Sequence, residues 1–474
     1  MIETHLDKKR QTIKIGLIRS IPKLFPGETF RALFSIGTGI YCELENSAIS
    51  KREVAELSTM MREWNEKGDV IQFLFKKDYY YYSVEEVVVK TLHPVDLDPR
   101  NAAPYRLIPF STGFIVDFDH TQEDFDYARE DGNKPYMPPE KLYEAYWLRQ
   151  QWFKNLGLEL SHEVNSYITS GHGRDLINTG EAIHEKHISL IADMITRERR
   201  NLRIVLISGP STSGKTIFTQ RLLTQLRING LKPLQLNLDN YFLDIEQRPR
   251  DEQGNYDFDS LEALDLPLLQ EHFRFLIEGR PIEAPVFDYV AGKRSDKTQS
   301  VHLGADEILV IEGIHALNPD LLTVENRNTL FKIYLSSLFG INIDPRNRVP
   351  STEARLIRRM VRGDMFRGVG PEQTFTMWPN VRKGEINYAF KFQEDCDAMF
   401  NSSLIYELNV LRPYAEATLQ KIPESSPHYE IKTRLLDLLA FFEPLESSTV
   451  PFNSILREYI GGSTYAPEKI IKIY

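Results

Sequence analysis

At 474 residues the chain is too long for one ordinary core, so two or three domains are expected. A composition of 42% hydrophobic and 26% charged residues excludes wholesale disorder and a membrane protein, and a formal net charge of -10 repels polyanions, so any nucleic-acid contact needs a local basic patch. The two cysteines, Cys42 and Cys396, fit neither a zinc spacing nor a disulfide framework, the N-terminus mixes Glu3 and Asp7 among its bases, and the longest apolar runs, such as Leu438 to Phe442, cannot span a bilayer; a cytoplasmic protein is expected.

Residues 1–120 alternate helix and strand signals and are expected to form an α+β unit. Ser50-Lys-Arg-Glu53 reads as a capping box, followed by Val54, Leu57, Met61 and Trp64 at helical spacing and by Gly68 as a stop. Val70 to Phe75 and Tyr79 to Tyr82 read as strands, Ser83-Val-Glu-Glu86 as a second capping box, and residues 105–118 as a strand or hairpin around Gly113. Residues 120–140, with Pro135, Pro138 and Pro139, read as a loop or linker. Residues 121–200 as a whole form a mostly helical connecting region, ending in the charged run Arg197-Glu-Arg-Arg200. Strand-like runs at Leu202–Ser208, Leu234–Leu238, Ile308–Ile311, Phe331–Leu335 and Leu404–Leu408 alternate with helical segments, which predicts a mostly parallel, doubly wound α/β domain over 201–412. Residues 413–474 form a helical tail.

Three features of the α/β segment point to phosphate chemistry. Gly209-Pro-Ser211-Thr212-Ser213-Gly214-Lys215-Thr216 matches G-x-x-x-x-G-K-[ST] between a buried strand and a helix. Its glycines let backbone N–H groups face phosphate oxygens, Lys215 reaches the β and γ phosphates, and Thr216 offers a hydroxyl to Mg²⁺. Glu312 ends the apolar run Ile308-Leu-Val-Ile, where a carboxylate meets Mg²⁺ in P-loop proteins; the plainer reading is a strand-terminal acid facing solvent. Asp239, just past the second strand, is placed to take a proton from an acceptor hydroxyl, or equally to serve as a turn or N-cap residue.

The ordered set made by the P-loop, Asp239-Asn-Tyr-Phe242, Tyr256-Asp-Phe-Asp259-Ser-Leu-Glu-Ala-Leu-Asp265, Pro285-Val-Phe-Asp-Tyr289 and Ile311-Glu-Gly-Ile314 resembles the uridine kinase branch of the phosphoribulokinase/uridine kinase family, over about residues 200–412. The resemblance implies that Asp239 is the catalytic base and a Mg²⁺ neighbour. It implies that Asp259 holds the ribose hydroxyls, and that Phe287 and Tyr289 lie beside the base, although core packing is an equal reading for both aromatics. Gly292 stands where the family carries a base-reading histidine, which leaves the identity of the nucleoside open. Arg355, Arg358, Arg359 and Arg362 share one helix face, followed by Arg367-Gly368. The resemblance makes Arg358, Arg359, Arg362 and Arg367 part of a lid that neutralises the transferring phosphoryl group. Gly363 replaces the usual aspartate, with Asp364 one later, and Val369 replaces a second lid arginine.

The front half resembles the N-terminal domains of threonyl-tRNA synthetase through Ser50 to Trp64, Leu107-Ile-Pro-Phe-Ser-Thr-Gly-Phe114 and Glu181-Ala-Ile-His-Glu-Lys-His187. Met377 to Glu385 and Ile455-Leu-Arg-Glu-Tyr-Ile-Gly-Gly462 look like the bacterial-type variant that joins the two regions. His184 and His187 read as two surface histidines rather than metal ligands, and RNA contact, effector binding or simple packing all stay open for this half. The expected activity is ATP- and Mg²⁺-dependent phosphorylation of a nucleoside 5′-hydroxyl. The alternatives are a P-loop kinase of another small hydroxyl, such as a sugar phosphate or pantothenate, and an RNA-binding regulatory ATPase. The oligomeric state is left open.

Overall fold

A computed structural model of the chain describes residues 2–37, 39–118, 138–198, 202–250, 254, 256–257, 260–288, 291–321 and 329–465, with side chains from residue 8 onward. Among these residues no helix is long and apolar enough to cross a membrane.

The N-terminal region opens with helix α1 (Ile2–Leu24), then strands β1 (Phe30–Ile36) and β2 (Gly39–Leu44), and helix α2 (Lys51–Lys67). Both halves of the Ser50–Glu53 capping box form, and Gly68 closes α2 in the left-handed conformation. Val54, Leu57, Met61 and Trp64 are all buried, as their spacing requires, each contributing on the order of 1.5–3 kcal/mol. Strands β3 (Gln72–Lys76), β4 (Tyr80–Val84) and β5 (Val87–Thr91) form a small antiparallel sheet. The expected second capping box at Ser83 therefore starts no helix. Ser83 is paired with Val88 in the β4–β5 hairpin, and Glu85 turns the chain with φ 51°. Strands β6 (Arg106–Phe110) and β7 (Gly113–Asp117) form the expected hairpin and complete a four-stranded sheet in the order β1-β2-β7-β6.

Helices α3 (Glu140–Leu156), α4 (Ser161–Tyr167) and α5 (Gly173–Glu198) follow, and most of the linker expected at 120–140 lies outside the described residues. These helices do more than connect. Leu142, Ala145 and Tyr146 of α3 share a core with Ile204 and Leu206, whereas Ile188, Ile191 and Ile195 of α5 share the opposite core with Val205 and Ile207. The strand β8 (Ile204–Ser208) thus sends alternate side chains into two apolar layers, the signature of a sheet covered on both faces. His184 is buried in this packing rather than on the surface: its Nε2 lies 3.1 Å from the Ser403 carbonyl and its ring lies against Phe400.

Beyond β8 come helix α6 (Lys215–Ile228), strand β9 (Lys232–Asn237), helix α7 (Leu266–Ile277), the hairpin β10 (Ile282–Asp288) and β11 (Lys293–Val301), and strands β12 (Glu307–Glu312) and β13 (Leu330–Ser336). A small hairpin, β14 (Asn342–Asp344) and β15 (Asn347–Arg348), leads into helices α8 (Ser351–Arg362) and α9 (Pro371–Tyr388), strand β16 (Ala398–Asn401), and helices α10 (Glu407–Leu419), α11 (Tyr429–Leu439) and α12 (Arg457–Ile460). The five strands pair in parallel in the order β16-β13-β8-β12-β9, the fold expected for a P-loop kinase. The fifth strand is not Leu404–Leu408. It is the four-residue β16, while the apolar run after it turns into α10; such short runs carry no period that separates strand from helix. The boundary expected at 412 falls inside α10.

The β14–β15 hairpin fastens the N-terminal region to the kinase sheet. Asn342 donates to the Ala32 carbonyl at 2.9 Å, the Ala32 N–H donates to the Pro345 carbonyl, Arg346 donates to Thr29, and Arg348 donates to Ser35.

Candidate active site

The loop 209–216 leaves β8 at the centre of the parallel sheet and enters α6. Two glycines are demanded by space. A Cβ at Gly209 would lie 2.5 Å from the Leu335 carbonyl, and Gly214 has φ 81° and faces Ile455 at 2.5 Å. Thr212 holds φ 57°, an unusual value for a side chain branched at Cβ. Several outside contacts keep it there: its hydroxyl donates to the Arg355 carbonyl, and its own carbonyl accepts from Arg358 at 3.0 Å and from the Tyr459 hydroxyl at 2.8 Å. Strain of this kind persists only where the surroundings over-determine it. The Ser213 hydroxyl is fully buried and has no hydrogen-bond partner among the described residues. Lys215 curls back to donate to the Gly209 and Pro210 carbonyls at 2.8 and 3.1 Å. Thr216 is exposed at the helix start. An orphaned hydroxyl, an ammonium folded over its own loop and the N-terminus of α6 together make an anion cradle.

Glu312 ends β12, and Asp239 lies two residues past the end of its neighbour β9, on the same side of the sheet. Glu312 is buried and accepts from Thr219 at 3.2 Å, Gln235 at 3.3 Å and Asn237 at 3.2 Å. Burial, reinforced by the charge of Asp239, pushes its carboxyl up to about 7 from an ordinary 4.5, against the pull of Lys215. Burial likewise lowers the Lys215 ammonium, while Asp239 and Glu312 counter the shift. Asp239 sits in a short turn, its N–H held by the Asn237 side chain at 2.8 Å. Lys215, Asp239 and Glu312 thus form one electrostatic unit. The two carboxylates suit Mg²⁺, which takes one or two protein carboxylates beside substrate phosphates, better than a cation needing a full protein cage.

Glu312 sets up a stability dependence. With its carboxyl raised in the fold, the native protein keeps a proton that the unfolded chain has lost between about 4.5 and about 7. Metal-free protein therefore loses stability through this group as pH rises across that window. Melting of wild type and Glu312→Gln in chelator-treated buffer should show the variant gaining relative stability up to about pH 7 and no further. A difference independent of pH contradicts the burial argument.

The arginine face of α8 divides. Arg358 is wholly buried, paired to Glu407 at 2.5 and 2.8 Å and bonded to Thr212 and Ser402. Burial opposes its charge, but Glu407 outweighs it and holds the guanidinium above the ordinary arginine range. This is a strut under the P-loop, a different place from the open lid expected of it. Arg355, also buried, pairs with Glu385 at 2.7 Å and donates to the Ser211 carbonyl. Glu385 in turn accepts from the Ser211 N–H at 2.9 Å. Arg359 donates to the Ser211 hydroxyl at 2.7 Å, Arg362 pairs with Glu458, and Arg367 is exposed.

Beside the turn that carries Asp239, the Phe287 N–H donates to Asn240 at 3.2 Å, and its ring lies 6.2 Å from Phe242. The Arg248 guanidinium covers both rings, at 5.1 Å from Phe287 and 4.5 Å from Phe242. Arg294 pairs with Asp265 at 3.0 Å and donates to the carbonyls of Tyr241 and Phe242, clamping the turn that carries Asp239. Asp259 and Tyr289 lie outside the described residues.

Residues 204–404 match the model of the "Phosphoribulokinase / Uridine kinase family". A uridine kinase of Deinococcus deserti is 30% identical over 175 residues, covering 37% of this chain and 75% of that protein. A uridine kinase of Bacillus subtilis is 30% identical over 186 residues, covering 38% of this chain and 77% of that protein. A third, from Bacillus licheniformis, is 31% identical over 166 residues, 35% and 69% of the two chains. The chain belongs to the phosphoribulokinase/uridine kinase family. It is a kinase of the P-loop type.

Gly292, where the resemblance leads one to expect a histidine, lies in the left-handed region of the backbone. It has φ 67°, and a Cβ there would collide with Ile245, whose N–H donates to the Gly292 carbonyl. The family match stops at 404, yet the C-terminal helix α12 beyond it touches the P-loop through Tyr459 and holds Arg362 through Glu458. The stretch 455–462 was visible in the sequence as a motif, but nothing in one dimension placed it on the phosphate loop. Arg248 carried no sequence signal at all. The matched residues leave the front half outside, so the family match does not bear on the resemblance to threonyl-tRNA synthetase expected there.

Proposed function

We propose that the protein transfers the γ-phosphoryl group of ATP to the 5′-hydroxyl of a nucleoside. The observation that carries this reading is the convergence of Lys215, Asp239 and Glu312 at one edge of the sheet, in a chain whose relatives include uridine kinases. Backbone amides of 209–216 and Lys215 hold the ATP phosphates. Asp239 takes the proton of the acceptor hydroxyl as its oxygen bonds to the γ-phosphorus and the bond to the β-phosphate oxygen breaks, leaving ADP. Thr216, Glu312 and Asp239 would hold Mg²⁺, which supplies charge neutralisation at the phosphates when bound. Arg362 and Arg367 stand closest to the lid role, with Arg358 acting from beneath the loop. Asp259 and Tyr289 belong to the acceptor side by their motifs, and Phe287 and Phe242 with Arg248 form an aromatic wall near it.

A second reading, a kinase of another small hydroxyl, is favoured by one feature: Gly292 offers no side chain to read a base. The test is ADP release from ATP–Mg²⁺ with a panel of nucleosides, sugar phosphates and pantothenate, run beside Lys215→Ala. A signal with one or two nucleosides that Lys215→Ala abolishes is the expected result. A signal confined to a non-nucleoside moves the assignment to the second reading.

A further inference from the structure

Away from the P-loop, a cavity of about 380 Å³ lies between α1, the N-terminal four-stranded sheet, the β14–β15 hairpin, α8 and α9. Its charge is one-sided. Arg10, Lys14, Arg346, Arg348, Arg382 and Arg434 line it, against the single carboxylate of Glu353. Glu353 is already engaged, 2.8 Å from Arg434 and 3.5 Å from His93, and Arg382 pairs with Glu385. Arg10, Lys14, Arg346 and Arg348 have no carboxylate within ion-pair distance among the described residues. Their bonds go to neutral oxygens: Lys14 to Asn347, Arg346 to Thr29, Arg348 to Ser35. His93, 7% exposed, has neither ring nitrogen hydrogen-bonded among the described residues. Burial, together with repulsion from Arg348 and Arg346, pushes Lys14 down to about 7 despite Asp344 nearby, and burial lowers Arg348 to about 10.

Half-buried cations that lack an ion-pair partner are costly to keep unless an anion joins them. Guanidinium groups beside an ammonium favour phosphate, which Arg binds through paired N–H donors. The rest of the lining is apolar, including Ile13, Leu17, Phe30, Val116 and Trp378, and the volume lies in the range of small-molecule sites. We infer that this cavity binds a phosphorylated small molecule, with its phosphoryl group on Lys14, Arg346 and Arg348 and its organic part against the apolar lining. The site goes beyond the phosphoryl-transfer reading and does not depend on it. It is nevertheless close in contacts to the P-loop: Arg382 lines the cavity and pairs with Glu385, which accepts the Ser211 N–H.

The test is calorimetric titration and thermal melting of the full chain with ribose 5-phosphate, with ribose as the uncharged control. Lys14→Met and Arg348→Met are compared with wild type, and Arg10→Gln serves as a milder third variant in case either fails to fold. The expected result is a higher melting temperature with ribose 5-phosphate and none with ribose. Affinity should fall at least about tenfold in the Met variants, since each loses a charge-assisted bond, and measurably in Arg10→Gln, which takes one positive charge from the lining. ATP affinity should be unchanged in all three, which separates this cavity from the P-loop. Equal ribose 5-phosphate affinity in wild type and variants, or no difference between the sugar and its phosphate in wild type, overturns the inference.

Discussion

Asp239→Asn is expected to keep ATP affinity and lose about 10²–10⁴ of kcat, the usual contribution of a positioned general base. The amide has nearly the shape of the carboxylate but cannot take the acceptor proton. The turn should survive, because the Asp239 N–H is held by Asn237 and the following residues by Arg294, none of which uses the carboxylate. A second consequence follows from the charge. Asp239 helps push Glu312 up, so its removal should bring the Glu312 carboxyl back toward its ordinary range. Steady-state rates and calorimetric ATP binding together decide the point: a kcat within roughly threefold of wild type rejects Asp239 as the base.

Glu407→Ala is expected to destabilise the protein by about 3–5 kcal/mol, because it strands the Arg358 guanidinium in the core. Both side chains are 0% exposed, so solvent cannot replace the lost partner. Replacing the pair together, Arg358→Met with Glu407→Leu, should recover much of that stability, since apolar substitutes for a buried ion pair are often neutral. The double variant would still lack the guanidinium that bonds the Thr212 carbonyl, so its ATP affinity should fall even where its melting temperature recovers. Denaturant unfolding of the three proteins separates the strut from a lid. A lid arginine would leave stability unchanged when its neighbour is removed and would cost kcat alone.

Much of the kinase half was legible because its signals are local. The glycine spacing of 209–216, the apolar run ending in Glu312 and the position of Asp239 after a strand each depend on a few adjacent residues, and the fold delivers all three to one sheet edge. The capping box at Ser50 was legible for the same reason, and the similar letters at Ser83 misled because four residues do not show that Ser83 is paired with Val88 in a strand. What the sequence hid is long-range. Arg358, Arg359 and Arg362 look alike on a helix face, and only the distant Glu407, Ser211 and Glu458 tell a strut from a loop contact and from a paired arginine. The strand Ala398–Asn401 hid for another reason: at four residues it is too short to show a period, and the apolar run after it attracts the assignment. The cationic cavity joins residues from both ends of the chain, so no window of sequence contains it.

The direct measurement of where the phosphoryl group goes is mass spectrometry and phosphorus NMR of the product formed from ATP–Mg²⁺ and the best nucleoside of the panel, with its 5′-deoxy analogue beside it. One phosphoryl group on the 5′-oxygen, formed in step with ADP, and no product from the analogue are the expected results. ADP formed without a phosphorylated nucleoside, or phosphate carried elsewhere on the sugar, would contradict the proposed transfer to the 5′-hydroxyl.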